Sequence, residues 1–597
     1  MPDPVSPDTA PPLTHPAPGS GLNAETVQHI QQRLIFLYGE TLAASVWPQL
    51  LACCERHAPV LQQLAFKPHW DERDVVLISY GDSVCQHDEP QALRSLKRFA
   101  DRWLQGAFST IHLLPIFPYT SDDGFSVSDY RSVRSDLGTW TDVGALGEHF
   151  ELMFDFVLNH CSRVSLYFSD FRADREPYRD FFIYENPARD WSKVVRPRSL
   201  PLLTEIPTHD GPRHVWTTFS ADQVDLNYKN PQVLLEMLDI LLFYLSQGAR
   251  ITRLDAIAFL WKEEGTACVH LPQTHTVVKL MRDVVAALCP GALLLTETNV
   301  PHRENVSYFG AGDEAHMVYQ FSLPPLLLHA IHSGKTSYLY EWLKHLSAPP
   351  PGCTYFNFTA SHDGIGVRPL EGLLPQEELK QLLEDMRARG AFISTRRSTD
   401  GKDIPYEINV TYHDAFRNPG QQSAPWQTAR FLLSQTVALS MRGIPGIYIH
   451  SLLGTPNDHK RVEVTGSTRA INRHQWDFDE LEALLEVRES GTATLMQEYL
   501  RRIRIRREQP AFHPDAEQMV LDLDDGLLGL VRSAADGSRI VALYNFTKHF
   551  RQLGKSSVAA FLGPDDTQWR DLLQEQPPVF GEAELRIRPY ACHWLVG

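Results

Sequence analysis

From Asp74 onward the chain alternates short apolar runs with longer stretches in which apolar residues recur every three or four positions. The short runs are Val75–Tyr80, Thr110–Leu114, Leu152–Leu158, Ile251–Asp255, Ala292–Glu297, Met317–Phe321, Tyr355–Thr359 and Ile444–Ile449. Each has the length of a strand buried on both faces. Helical patterns lie between several of them, at Leu93–Trp103, Val233–Ser246 and Thr276–Leu288. Buried strands alternating with helices imply a parallel sheet, and eight such units predict an α/β fold closed into a (β/α)8 TIM barrel over residues 74–508. Two intervals, about 161–225 and about 364–425, are too long for simple crossovers. They are expected to be inserted loop domains over the C-terminal mouth of the barrel, where sites of this architecture lie.

Both ends depart from this rhythm. After Gln509 the runs Met519–Leu523, Leu527–Ser533 and Ile540–Phe546, with a turn at Asp536-Gly537, predict a C-terminal antiparallel β domain over 509–597. At the start, seven of the first eighteen residues are Pro, so residues 1–21 read as a disordered tail. In 22–73, Val27, Ile30, Leu34 and Leu37 keep helical spacing, and Leu50 and Leu51 follow Pro48. This predicts a helical N-terminal extension of two helices.

Composition narrows the class of function. The chain has 597 residues, 43% hydrophobic and 22% charged, as in an ordinary globular protein. Its longest apolar runs, such as Leu323–Leu328, fall far short of the ~20 residues that span a bilayer, so no membrane partner is expected. The net charge of −17 repels phosphate backbones and argues against a nucleic-acid partner. Anionic ligands must be held by local basic residues. The eight Cys form no CxxC pair, so neither a zinc knuckle nor a redox motif is expected. The Pro-rich start lacks the basic and apolar segments of a signal peptide, which makes the cytoplasm the expected location.

Polar residues gather where the barrel strands end: Asp155-Phe-Val-Leu-Asn159-His160, Arg253-Leu-Asp255, Thr296-Glu297-Thr298 and Ser361-His362-Asp363-Gly364. One Asp at a strand end is an ordinary helix cap. Four such clusters, each on its own strand, point to catalysis. A pair of carboxylates suits glycosidic bond cleavage, one as nucleophile and one as proton donor. Residues two apart on a strand share a face, so Arg253 can hold Asp255 ionised.

These four segments, in this order and spacing, resemble the α-amylase superfamily of glycoside hydrolases. The resemblance implies Asp255 as nucleophile, Glu297 as general acid/base and Asp363 as transition-state stabiliser, with Arg253, His160 and His362 around the glucosyl ring. Asp122-Asp-Gly-Phe125, Phe321-Ser-Leu-Pro-Pro-Leu-Leu-Leu-His329, Asp363-Gly-Ile-Gly366 and Ile471-Asn-Arg473-His474 are similar to the sucrose phosphorylase subgroup. By that match Asp122 and Arg473 grip the glucose hydroxyls and Phe125 packs on the sugar. Arg198, within Arg196-Pro-Arg198, and Tyr406 match residues that contact phosphate. The resemblance also implies that no metal or other cofactor is needed, with inorganic phosphate as co-substrate. No Asp-rich calcium loop is present.

Three features differ from sucrose phosphorylases and resemble glucosylglycerate phosphorylases: the N-terminal extension, the stretch Lys262–His275, and Asn299-Val-Pro301-His302 after the acid. Glu407 stands where Gln is usual, which puts a fructose site in doubt. The expectation is a retaining phosphorylase that converts an α-glucoside, 2-O-α-glucosyl-D-glycerate, and phosphate to α-glucose 1-phosphate. Arg196, Arg198, Arg396, Arg397 and Lys402 are candidate cations for the acceptor. Glu407, His270, Gln273 and His275 are candidate hydroxyl partners. Glycerol, fructose and fructose 6-phosphate stay open as acceptors. A hydrolase or transglucosylase on the same scaffold is the alternative, and a non-catalytic binding protein fits least, because all three carboxylates are present. Oligomeric state is not legible in the sequence.

Overall fold

Eight strands close into a parallel barrel in the computed structural model, which describes residues 21–398, 401–418, 424–563, 565, 568–574 and 584–597. They are β1 (Val76–Ser79), β2 (Thr110–Leu113), β3 (Glu151–Val157), β4 (Ala249–Asp255), β5 (Leu293–Thr296), β6 (Met317–Tyr319), β7 (Thr354–Phe358) and β8 (Ile444–Tyr448). Each pairs with its neighbours in sequence, and β8 returns to β1. All eight expected runs become these strands. Their side chains are buried nearly throughout, because helices cover the outside and packed layers fill the inside.

The N-terminal extension is α1, Ala24–Leu61, whose backbone breaks at Gly39 (φ 75°, ψ 165°). The sequence placed the break at Pro48 instead. Glycine enters the left-handed region cheaply, so the turn falls there. Pro48 stays inside the second half, which is held by packing of Trp47, Leu50 and Cys54. α1 lies across the barrel helices α2 (Pro231–Ser246) and α3 (Pro272–Leu288), with Arg33 paired to Asp283 at 2.6 Å. The expected tail lies outside the described residues, apart from Gly21.

Both long intervals carry structure of their own. The first contains a hairpin, Leu203–Thr208 with Gly211–Trp216, and an antiparallel pair, His160–Ser162 with Gln223–Asp225. The second contains a three-stranded sheet in which Asp403–Asn409 lies between Ile365–Gly366 and Phe392–Arg397. Residues from both line one cavity at the C-terminal end of the barrel. The C-terminal region forms a five-stranded antiparallel sheet: β9 (Glu517–Leu521), β10 (Leu527–Ser533), β11 (Arg539–Asn545), β12 (Arg570–Asp571) and β13 (Cys592–Val596), in the order β9-β10-β11-β13-β12. Among the described residues no helix is long and apolar enough to cross a membrane.

Candidate active site

The parallel register sets the chemistry. Ile251 to Leu254 on β4 face Leu293 to Thr296 on β5, and the ladder continues with the Glu297 N–H donating to the Leu254 carbonyl at 3.1 Å. Extended by one residue, it sets Asp255 beside Glu297. Neighbouring strands lie about 4.8 Å apart, so the two carboxyls rise from adjacent positions on the rim of the barrel. Ala256 then takes a left-handed conformation (φ 50°, ψ 28°), and its N–H donates to Glu297 Oε2 at 3.1 Å. The strained residue after Asp255 thus fixes the neighbouring carboxylate.

Beneath Asp255 lies a buried charge relay. Arg253 Nη1 is 3.1 Å from Asp255 Oδ1 and also pairs with Asp155, whose other oxygen lies 2.7 Å from His112 Nε2. Burial raises the Asp255 carboxyl well above its ordinary value. Arg253 opposes that rise, and Glu297, Asp155 and Asp363 add to it. Glu297 is raised as well, by burial and Asp363, against Arg253. Two carboxyls so placed share one proton more cheaply than they ionise together. Asp363 is lowered: burial works against it, but Arg469, at 2.7 Å, with Arg253 and Arg473 beyond it, holds it ionised. Burial keeps His160 and His362 neutral by lowering both imidazoles.

Asp122, Phe125, His160, Arg198, Asp255, Glu297, His362, Asp363, Tyr406 and Glu407 line a cavity of about 970 Å³ that opens to solvent. The Phe125 ring stacks on His362 at 4.6 Å, and its carbonyl lies 2.9 Å from His160 Nε2. Gly124 (φ 115°) is required before it, since a Cβ there would meet Pro115 at 2.8 Å. Two expected residues sit directly behind the lining. Arg253 supports Asp255 as above. Arg473 donates to the His362 carbonyl at 2.9 Å and pairs with Asp123 at 2.6 Å, more closely than with Asp122 at 3.7 Å. Burial pushes the Tyr406 hydroxyl up to about 12, so it stays a donor. The Arg198 guanidinium lies 5.3 Å from the Tyr406 ring.

Other expected groups lie elsewhere. Arg196, His270 and Gln273 are not part of the lining. His270 turns to Tyr308 (2.9 Å) and Glu304 (3.2 Å), because its own backbone is left-handed (φ 54°). Gln273 opens α3 just after Pro272. His275 is taken by Glu314 at 2.7 Å. Arg396 pairs with Glu371 at 2.9 Å and Arg397 with Asp403 at 3.2 Å, because the strand Phe392–Arg397 carries both past the mouth. Glu407 does line the cavity, but Arg469 holds its carboxylate by two contacts, 2.6 and 3.1 Å.

Sequence reading missed Arg469, Arg368, Phe219 and Gln223 in the lining, and it quoted Asp155 and Lys262 within their motifs without giving either a role. Arg469 lies on the 3-10 segment Thr468–Asn472, which Arg473 caps. Lys262 is buried, with its ammonium 2.6 Å from Asp225 and donating to Asn159 Oδ1 at 2.9 Å. Asn159 in turn donates to Asp225 at 3.1 Å and touches His160.

Such a barrel, with three carboxylates at its mouth, defines a class of enzyme acting on glycosidic bonds. Residues 105–363 match the α-amylase catalytic domain. The chain is 43% identical to the glucosylglycerate phosphorylase of Escherichia coli K12 over 95% of its own length and all of the relative. It is 30% identical to the sucrose phosphorylase of Streptococcus mutans, over 78% of this chain and 94% of that one. The crystal structure of sucrose 6F-phosphate phosphorylase from Thermoanaerobacter thermosaccharolyticum superposes with a TM-score of 0.69 at 27% identity, covering 81% of this chain and 95% of the other. The chain belongs to the α-amylase family, in the branch that holds these glycoside phosphorylases.

Proposed function

We propose that the protein catalyses the reversible phosphorolysis of 2-O-α-glucosyl-D-glycerate by double displacement. Asp255 attacks the anomeric carbon while Glu297 gives its proton to the departing glycerate oxygen. The glucosyl group is then an ester of Asp255. Phosphate enters from the side the acceptor left, loses a proton to Glu297 and displaces Asp255. Two inversions give α-D-glucose 1-phosphate with configuration retained. Asp363 stabilises the oxocarbenium-like charge. Asp122, Phe125, His160, Arg253, His362 and Arg473 hold the glucosyl ring, and Arg198 with Tyr406 holds phosphate.

One observation carries the reading: the ladder of β4 and β5 sets the buried Asp255 beside the half-buried Glu297, and Arg253 lies 3.1 Å from Asp255. That contact opposes the rise that burial imposes on Asp255, which supports Asp255 as the attacking carboxylate and Glu297 as the acid. The identity to glucosylglycerate phosphorylases supports glycerate as the acceptor. The reaction needs no cofactor besides phosphate, so EDTA should leave the rate unchanged. The eight free thiols suit the cytoplasm.

The test is a panel of acceptors incubated with α-glucose 1-phosphate, with released phosphate as the readout. D-Glycerate should exceed fructose by about tenfold or more at equal concentration, because an uncharged sugar leaves buried cations unpaired. Glycerol should fall below glycerate. A higher rate with fructose or glycerol overturns the acceptor, and glucose release without any acceptor preference overturns phosphorolysis.

A further inference from the structure

Three arginines line the cavity: Arg198, Arg368 and Arg469. Arg469 is committed to Glu407 and Asp363. Arg198 lies beside Tyr406 and Phe219, in the phosphate position of the reading above. Arg368 differs from both. It opens the 3-10 turn Arg368–Leu370, two residues beyond the strand Ile365–Gly366. Its side chain is only 13% exposed, and its ion-pair contact among the described residues, to Glu304, is a stretched 3.5 Å. Its Nε is buried and has no hydrogen-bond partner among the described residues. Removing a guanidinium from water with so weak a counter-ion is costly unless a ligand completes it.

Asn299 lies alongside and lines the same cavity. Its Oδ1 is also buried without a hydrogen-bond partner among the described residues. A Cβ on residue 366 would come within 2.3 Å of that oxygen, so Gly366 is what admits the amide against the strand leading to Arg368. Arg368 and Asn299 are thus both on the cavity wall beside the strand Ile365–Gly366, and neither has a part in the displacement chemistry. His270 beside them adds no competing charge: burial and the nearby Arg368 push its imidazole down to about 4.

We propose that Arg368 and Asn299 form the acceptor subsite for a 2-hydroxy acid, Arg368 taking the carboxylate and Asn299 Oδ1 accepting from a hydroxyl. This rests on the phosphorylase reading and replaces Arg196, Arg396 and Arg397 as the source of the acceptor's cation. Glu304 competes for Arg368 and yields to the ligand, since it is 42% exposed and hydrates readily.

The experiment compares wild type with Arg368→Met and Arg368→Lys in synthesis from α-glucose 1-phosphate. D-Glycerate and glycerol are each supplied below saturation. The ratio of the glycerate rate to the glycerol rate should fall by about tenfold or more in Arg368→Met, the scale of one charge-assisted contact. Arg368→Lys keeps a charge without the fork, and its ratio should lie between the two. It also keeps the question answerable if the methionine variant does not fold. A glycerate preference in the wild type that persists in the folded variants overturns the subsite alone. No preference in the wild type overturns the acceptor reading together with it.

Discussion

At the residue scale the site is built against its own stability. Asp255 is 7% exposed, and burial with three neighbouring carboxylates raises its carboxyl against the single opposing Arg253. Asp255→Asn keeps the shape and removes the nucleophile, because an amide forms no glycosyl ester. Turnover should therefore be lost by about three orders of magnitude or more, and activity within tenfold of wild type would refute the assignment. The same change should stabilise the fold. A carboxyl whose folded pKa lies above its unfolded value contributes stability below the unfolded value and loses it as pH rises through the folded one. The variant should thus melt higher than wild type at neutral pH, and the gain should vanish below about pH 4. A lower melting temperature at pH 7 would show that Arg253 stabilises Asp255 more than burial and repulsion oppose it.

At the scale of elements, the strands were legible because burial on both faces writes them as apolar runs, and each polar cluster followed where its run stopped. Asp155 was visible in the same motif as His160, yet its partner Arg253 could be found only once β3 and β4 paired Asp155 with Arg253. Arg368 and Arg469 were illegible as cavity residues for a related reason. Each comes from a short 3-10 turn, and the path of such a turn depends on packing rather than local pattern. Lys262 tests how far the elements depend on one another. It joins the segment after β4 to Asn159, after β3, and to Asp225, at the end of the first insertion. Removing one partner of a buried pair costs about 3–5 kcal/mol, because the other charge stays behind. Lys262→Met should therefore lower the melting temperature. It should also raise the KM for the glucosyl donor by releasing His160, which leans on Asn159. An unchanged KM in a destabilised protein would confine Lys262 to folding.

At the scale of the whole molecule, the extension does a different job from the cavity. The lining contains no residue of α1. Instead, α1 buries Val27, Ile30, Leu34, Val46, Trp47, Leu50, Cys54 and Leu61, on a surface shared with α2 and α3. A large apolar side chain contributes about 1.5–3 kcal/mol when fully buried, so the strip outweighs any one ion pair at its edge. Those pairs fix its position: Asp239 on α2 receives Arg56 at 3.0 Å and His57 at 2.8 Å from α1, and Arg131 at 2.6 Å from the loop after β2. α2 leads into β4 and α3 into β5, the strands that end at Asp255 and Glu297. The extension therefore braces, from outside, the helices before the two reacting carboxyls. A chain lacking residues 1–61 should expose the outer faces of α2 and α3, aggregate more readily and melt lower by about 10 °C or more, on a scale of roughly 1 °C per kcal/mol for a chain of this length. Its kcat, measured well below that melting point, should stay within about threefold of the full chain, since no reacting group has been lost. A melting temperature within about 2 °C of the full chain would show that α1 braces nothing. A kcat reduced a hundredfold in the folded remainder would make α1 part of the catalytic geometry instead.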